Sequence, residues 1–219
     1  MMRQFLIWFG TFLILPLYFV ILFTIFNPSA GFYMGSELRR LGSIKHNWVK
    51  LDDFSSVMAR SVVAAEDANF CDHQGFDMKA IMDTIKNESN RGASTITQQT
   101  AKNVYLWHGR NYVRKGLEAG FTILIELFWT KKRIIEVYLN VAEFDEGVFG
   151  AAAAAQHYFG VEPNNINSTQ AARLASVLPN PKGRSASKPS NFVRKRTRAI
   201  MSGAATILTD GRANCFQNG

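Results

Sequence analysis

One stretch near the amino end limits what this chain can be. "FLIWFGTFLILPLYFVILFTIF", Phe5 to Phe26, contains no charged residue. A helix needs about 20 apolar residues to cross the hydrocarbon core of a bilayer, and this run meets that length. Pro16 would kink such a helix, which membranes tolerate. A cleavable secretion signal is the rival, and the small residues of "NPSAG" (27–31) suit it. Its apolar region, however, usually spans only about 7–15 residues. A buried soluble helix with no polar face would be unusual. The expectation is a single transmembrane helix over 5–26, preceded by a short N-terminus, 1–4. Charge does not orient it, because Arg3 lies before the run and Arg39 and Arg40 lie soon after it.

Beyond the run, Pro28, Gly31, Gly35 and Gly42 mark residues 27–50 as a connector. Helical spacing then dominates. "LDDFSSVMARSVVAAED" reads as a helix capped by Asp52 or Asp53, and "DMKAIMDTIKNES" (77–89) as one capped by Asp77. "STITQQTAKNVYL" (94–106) starts at Ser94 or Thr95. A long apolar-faced stretch runs from Asn111 to Tyr138. "GVFGAAAAAQHYFG" (147–160) is an alanine-rich helix between glycines, "STQAARLASVL" (168–178) stops before Pro179, and the last helix covers Asn191 to Leu208. Strand patterns are scarce, so the class is mainly α, with a folded domain over 51–208 and a C-terminal tail, 209–219. Within 117–130 the acids Glu118 and Glu126 interrupt the apolar run, which is then too short to cross a membrane. It reads as a core helix or as a surface dipping into the membrane interface.

The chain has 219 residues and a formal net charge of +8. That balance favours an anionic partner, whether nucleic acid, membrane lipid or a phosphorylated substrate. Cys71 and Cys215 form no C-x-x-C pair; in an oxidising compartment they could make one disulfide. His73, His108 and His157 do not supply the spacing of a zinc site.

Four stretches carry chemistry-bearing side chains. In "EDANFCDHQGFD" (66–77), Glu66 and Asp67 follow the small apolar "SVVAA", and Phe70 and Phe76 stand ready to wall a site. Burial and a like-charged neighbour raise a carboxyl pKa toward the range useful for acid or base work. Alone, the stretch reads equally as a helix end bound to water. "RGASTITQQTAKN" (91–103) gathers Ser94, Thr95, Thr97, Gln98, Gln99 and Asn103, uncharged groups that recognise sugar hydroxyls and amides. Gly92 and the helix start would offer backbone N–H groups to an anion. Lys102 shares a helix face with Gln99 and Thr95. In "RKGLE", Arg114 and Glu118 stand at i and i+4, as do Glu136 and Asn140 in "KKRIIEVYLN".

In this order the stretches resemble the peptidoglycan glycosyltransferases, the glycan-polymerising module of bifunctional penicillin-binding proteins and of monofunctional enzymes. The likeness runs from about Ser61 to Pro181. "EDANFCDHQGFD" is similar to the family's first motif and "GASTITQQTAKN" to its second, with Ala93 where the family usually has a glycine. "RKGLE", "KKRIIEVYLN" and "GAAAAAQHYFG" with "LASVLPNP" supply the rest. The resemblance implies a lysozyme-like, two-lobed helical domain with a cleft, and lipid II as substrate. It implies Glu66 as the base and Glu118 as a second acid that positions cations or a divalent metal. Lys102 and Arg114, with Lys115 in a weaker role, would meet the pyrophosphate. Asp67, Phe70, His73, Thr95, Gln99 and Asn103 would shape the sites. No cofactor is obligatory, and Mg or Mn is the cation it leaves room for. Partners would be lipid II, the growing lipid-linked strand, the membrane and other wall-synthesis proteins, but no nucleic acid. The catalytic domain would face the extracytoplasmic side of the inner membrane. "FVRKRTRAI" (192–200) is expected to rest on anionic lipid or in solvent. "SASK" (185–188) fits the transpeptidase Ser-x-x-Lys, but no later Ser-x-Asn or Lys-Thr-Gly element follows. A lysozyme-like hydrolase and a non-catalytic membrane scaffold are the rival readings; neither explains the Lys102, Arg114 and Glu118 set.

Overall fold

The computed structural model describes residues 14–86, 94–109 and 111–217. Of the expected span, residues 5–13 lie outside the described residues. Residues 14–22 form helix α1. Among the described residues no helix is long and apolar enough to cross a membrane. One side of α1 packs on the domain: Val20 is buried, and its carbonyl accepts from Trp129 Nε1 at 2.8 Å. Its other side leaves Ile14, Leu15, Tyr18 and Ile21 exposed. Arg133 donates to the carbonyls of Phe23 and Phe26 just beyond the helix, where a cation complements free C=O groups.

The connector is more ordered than its glycines suggest. It holds α2 (Phe32–Leu41), ended by Gly42 in the left-handed region (φ 77°), and then β1 (Lys45–His46). Tyr33 and Met34 bury an apolar face of α2 against Phe149. Just before α2, a Cβ on Gly31 would fall 2.0 Å from the Asn103 carbonyl oxygen, so only glycine passes there.

A short 3-10 turn, Leu51–Asp53, precedes α3 (Ser56–Glu66). Asp52 and Asp53 therefore lie in that turn and do not cap α3. Asp77 does cap α4 (Met78–Lys86), accepting from the Ala80 N–H at 2.9 Å. Residues 87–89 of the expected helix lie outside the described residues. α5 (Ile96–Tyr105) begins with a full capping box: Thr95 accepts from the Gln98 N–H, and the Gln98 side chain returns to the Thr95 N–H. The stretch expected from Asn111 to Tyr138 is two helices, α6 (Tyr112–Phe128) and α7 (Lys131–Val141). Trp129 is extended and Thr130 starts the second helix by accepting from the Arg133 N–H. β2 (Glu143–Asp145) and β3 (Val148–Phe149) follow, and the small sheet has order β1-β3-β2, with β1 parallel and β2 antiparallel to β3. The alanine-rich helix α8 (Ala151–Phe159) is thus shorter than its flanking glycines suggested, because Val148 and Phe149 pair in the sheet. α9 (Ser168–Val177) opens at Asn167, with a capping box to Gln170; α10 (Asn191–Thr209) and the short α11 (Asn214–Gln217) end the chain.

The helices pack in two groups, α3 with α9 and α10, and α5 with α6 and α7. One core joins them, with Val62, Val63, Ile134, Tyr138, Leu139 and Leu174 buried together. Asn140 stitches the connector to α7. Its side chain accepts from Val49 N–H at 2.9 Å and donates to the Val49 and Glu136 carbonyls, both at 2.8 Å. Glu136 accepts from the Leu51 N–H at 2.9 Å. Fully buried amides are tolerated when satisfied in this way.

Residues 209–217 are not a loose tail. Cys71 and Cys215 are joined in a disulfide at a sequence separation of 144. Arg212 donates to the Ala68 carbonyl at 3.0 Å, and Arg60 to the Gln217 side chain at 2.8 Å. Phe216 is buried against Phe70, ring centroids 6.2 Å apart.

Candidate active site

Glu66 is the last residue of α3. The helix ends there in small apolar residues, and the Glu66 carboxylate is largely withdrawn from solvent. One oxygen, Oε2, accepts from Gln99 Nε2 at 3.0 Å; the other, Oε1, lies 3.4 Å from Arg196 Nη2. Burial raises the Glu66 pKa, against the pull of Gln99, Arg196, Lys102 and Arg184. A carboxyl tuned upward by desolvation beside specific cations has the character of a catalytic acid or base. Gln99 is held in turn: its Oε1 accepts from the buried Tyr138 hydroxyl at 3.1 Å.

Asp67 turns the other way. Its Oδ1 pairs with His73 Nε2 at 2.8 Å, and its Oδ2 accepts from the Ile96 N–H at 2.9 Å. That amide opens α5, where negative charge is favoured. Thr95 donates to the Gly75 carbonyl at 2.7 Å. Phe70 is fully buried, with Lys131 Nζ 4.5 Å from its ring centroid. The four residues seat the 67–77 loop against the start of α5. Phe70 is a core side chain and offers no surface to a sugar, whereas Asp67 and Thr95 still border a cavity. Gly92 and Ala93 lie outside the described residues.

The cations gather around the second acid. Arg114 Nη1 bonds Glu118 Oε2 at 2.8 Å, and Lys115 Nζ bonds Oε1. Arg114 is also tied to the Gly109 carbonyl at 2.7 Å. Spacings of three and four place all three side chains on one face of α6. Lys102 makes no ion pair among the described residues. Burial lowers its pKa, while Glu118 and Glu66 raise it from either side. Glu118 therefore meets Arg114, Lys115 and the nearby Lys102, which leaves an excess of positive charge in a partly dehydrated setting suited to an anion.

Two cavities flank the Glu66–Gln99 contact. One, of about 250 Å³, is bordered by Glu66, Asp67, Asn69, Asp77, Ser94 and Thr95. The other, of about 160 Å³, is bordered by Gln99, Lys102, Asn103, Tyr33, His108 and Tyr138. A larger groove, about 560 Å³, lies beside β1 and α8 and shares no lining residue with either.

This arrangement coincides with a family match. The family model described as Transglycosylase covers residues 34–205. A biosynthetic peptidoglycan transglycosylase of Jannaschia sp. is 54% identical over 204 residues, which is 93% of this chain and 85% of that protein. One from Caulobacter vibrioides is 46% identical, covering 91% of this chain and 89% of its own length. A third, from Chromohalobacter salexigens, is 52% identical across 72% of this chain and 69% of that protein. The chain belongs to the transglycosylase family.

Within this transglycosylase two site residues, Arg196 and Arg184, lie outside the motifs, and a third, Tyr138, lies within "KKRIIEVYLN" without being singled out there. Arg196 comes from "FVRKRTRAI", expected to face lipid or solvent; instead it reaches Glu66 and the Ala65 carbonyl, 3.1 Å away. Val193, Thr197 and Ile200 are the buried positions of α10, and Arg196 sits three residues after Val193 on that side. Arg184, before α10, also acts on Glu66. Tyr138 reads in sequence as one more core aromatic. A divalent ion does not fit beside Glu118 in this transglycosylase: both carboxylate oxygens are engaged by cations. No group of three His, Cys, Asp or Glu side chains able to hold a metal occurs among the described residues.

Proposed function

We propose that this chain polymerises lipid II into linear peptidoglycan strands. The observation that carries this reading is the desolvated Glu66 placed near a cation cluster of Lys102, Arg114 and Lys115. A sugar hydroxyl is a poor nucleophile at neutral pH and needs a base in hydrogen-bond reach. Glu66 takes the proton from the acceptor's 4-hydroxyl as that oxygen attacks the anomeric carbon of the lipid-linked strand. The carbon–oxygen bond to the pyrophosphate breaks, and the polyprenyl pyrophosphate leaves with the electron pair. Its growing negative charge is met by Lys102, Arg114 and Lys115; Glu118 and the Gly109 carbonyl preorganise Arg114, and Glu118 holds Lys115. Attack from the opposite face inverts the anomeric centre.

The same reading gives the fold a lysozyme-like two-lobed form, its helix groups on either side of the cleft. It gives residues 5–26 the role of a single-pass anchor in the inner membrane. The catalytic domain then stands on the extracytoplasmic side, where lipid II is displayed. The Cys71–Cys215 disulfide supports that side, since such bonds persist in oxidising compartments. Exposed Tyr112, Val113, Ile123 and Leu127 on α6 support contact with the membrane interface.

The test is purified protein in detergent with lipid II. Long glycan strands are expected, and Glu66→Gln should lose them while keeping the helical circular-dichroism spectrum. Polymerisation by Glu66→Gln at the wild-type rate would remove Glu66 as the base. Cleavage of preformed glycan without polymer would make the chain a hydrolase instead.

A further inference from the structure

We propose that Tyr138 is a positioning residue for Glu66, acting through Gln99 by fixing which end of that amide meets the carboxylate. The inference rests on Glu66 being the base.

An ionised carboxylate only accepts hydrogen bonds, so it must be met by the NH₂ end of a neighbouring amide. A glutamine amide is nearly symmetric in shape, and packing alone does not choose between its two orientations. Here the choice is made from the far side. Tyr138 Oη lies 3.1 Å from Gln99 Oε1, and Gln99 Nε2 lies 3.0 Å from Glu66 Oε2. Tyr138 is fully buried in α7, and burial and the nearby Glu66 and Asp67 raise its pKa well above the usual phenol range. It therefore keeps its proton near neutral pH and has a hydrogen to donate. With that donor aimed at Oε1, the carbonyl end of Gln99 is held away from Glu66 and the NH₂ end toward it.

The other groups around Glu66 leave this task to Tyr138. Arg196 from α10 addresses the opposite oxygen, at 3.4 Å. Arg184, ahead of α10, and Lys102 on α5 act on Glu66 through their charge. Asp67 is committed to His73 and the Ile96 N–H. None of them touches Gln99 Oε1 among the described hydrogen bonds. Without the phenol hydroxyl the amide is free to flip and present its oxygen to a carboxylate. That contact favours the protonated acid, so the pKa of Glu66 climbs and less base is available at a given pH.

The experiment is the pH–rate profile of lipid II polymerisation by the full chain in detergent. Tyr138→Phe keeps the ring and removes only the hydroxyl. Its acidic limb is expected to move to higher pH by about one unit, with the rate recovering as pH rises. Gln99→Leu should move the limb in the same direction, and Tyr138→Phe should add nothing further on that background. A Tyr138→Phe profile that overlays the wild type overturns the proposal, as does a shift that adds fully to that of Gln99→Leu. If Tyr138→Phe fails to fold, an unshifted limb in Gln99→Leu overturns it too. Activity retained by Glu66→Gln would sink the base itself. Loss of activity in Glu66→Gln together with an unshifted Tyr138→Phe sinks only the positioning role.

Discussion

Glu66 is set against the stability of the fold that holds it. Its folded pKa lies above the ordinary 4.5 because of burial. An acid raised in this way stabilises the native state below about 4.5, and that contribution is lost as pH rises through the folded pKa. Above the folded pKa of Glu66 the domain therefore carries a buried charge that it would be more stable without. Glu66→Gln should melt a few degrees higher than wild type near pH 8, and the gap should shrink toward pH 4. Thermal unfolding at the two pH values checks this; a gap that is the same at both would mean the carboxylate is not the source. At this scale much of the site was legible. Glu66, Gln99, Lys102, Arg114 and Glu118 lie in short stretches whose polarity is out of keeping with an ordinary helix face. Arg196 was not legible, because it differs from Arg194, Lys195 and Arg198 only in which way α10 faces. Asp67, His73 and Thr95 were read as substrate contacts; the structure adds that they also hold the 67–77 loop against the start of α5, while Asp67 and Thr95 still border a cavity.

Among the elements, the C-terminal segment has the widest reach. Cys215 grips the loop between Phe70 and His73, and Arg212 grips it again at Ala68. Closing a loop of 144 residues removes roughly 5 kcal/mol of unfolded-state freedom in the chain-entropy account. Cys71→Ser and Cys215→Ser should each lower the melting temperature by about 10 °C or more. Reductant should do the same to wild type and nothing to the variants. Equal melting of wild type and Cys215→Ser would show that the other contacts suffice. α2 makes a similar point from the amino end. Its glycines suggested a plain connector, yet Gly31 is needed for a close approach to Asn103 and not for slack. Helix periodicity was clear from the spacing of apolar residues; the break at Thr130 has a local cause in its cap to the Arg133 N–H, whereas the one at Phe149 is set by strands that pair with it from elsewhere in the chain.

At the scale of the molecule, one side is unusually apolar. Tyr112, Ile123 and Leu127 recur at helical spacing on α6 with Gly116 and Gly120 between them, and all three are exposed. The segment just beyond α1 reaches toward that helix through α5: Phe23 approaches Tyr105, which stacks on Phe121 with ring centroids 4.5 Å apart. Exposed apolar surface on this scale marks a contact surface. Leu127→Asp should slow polymerisation of lipid II presented in vesicles about tenfold, and leave the rate on a short-chain, detergent-dispersed substrate nearly unchanged. Equal slowing on both substrates would place the defect in the domain and not at the bilayer. The mainly helical class and an interfacial apolar face within 117–130 were both readable in the sequence; the packing of the segment after α1 against α5 was not, because the two lie far apart in the chain.

The link between Cys71 and Cys215 also orders events in time. The loop that carries Asp67 and His73 is synthesised long before its partner cysteine. Until Cys215 has left the ribosome and reached an oxidising compartment, nothing covalent holds that loop. A newly made chain therefore gains this covalent tie only once its last residues have been synthesised.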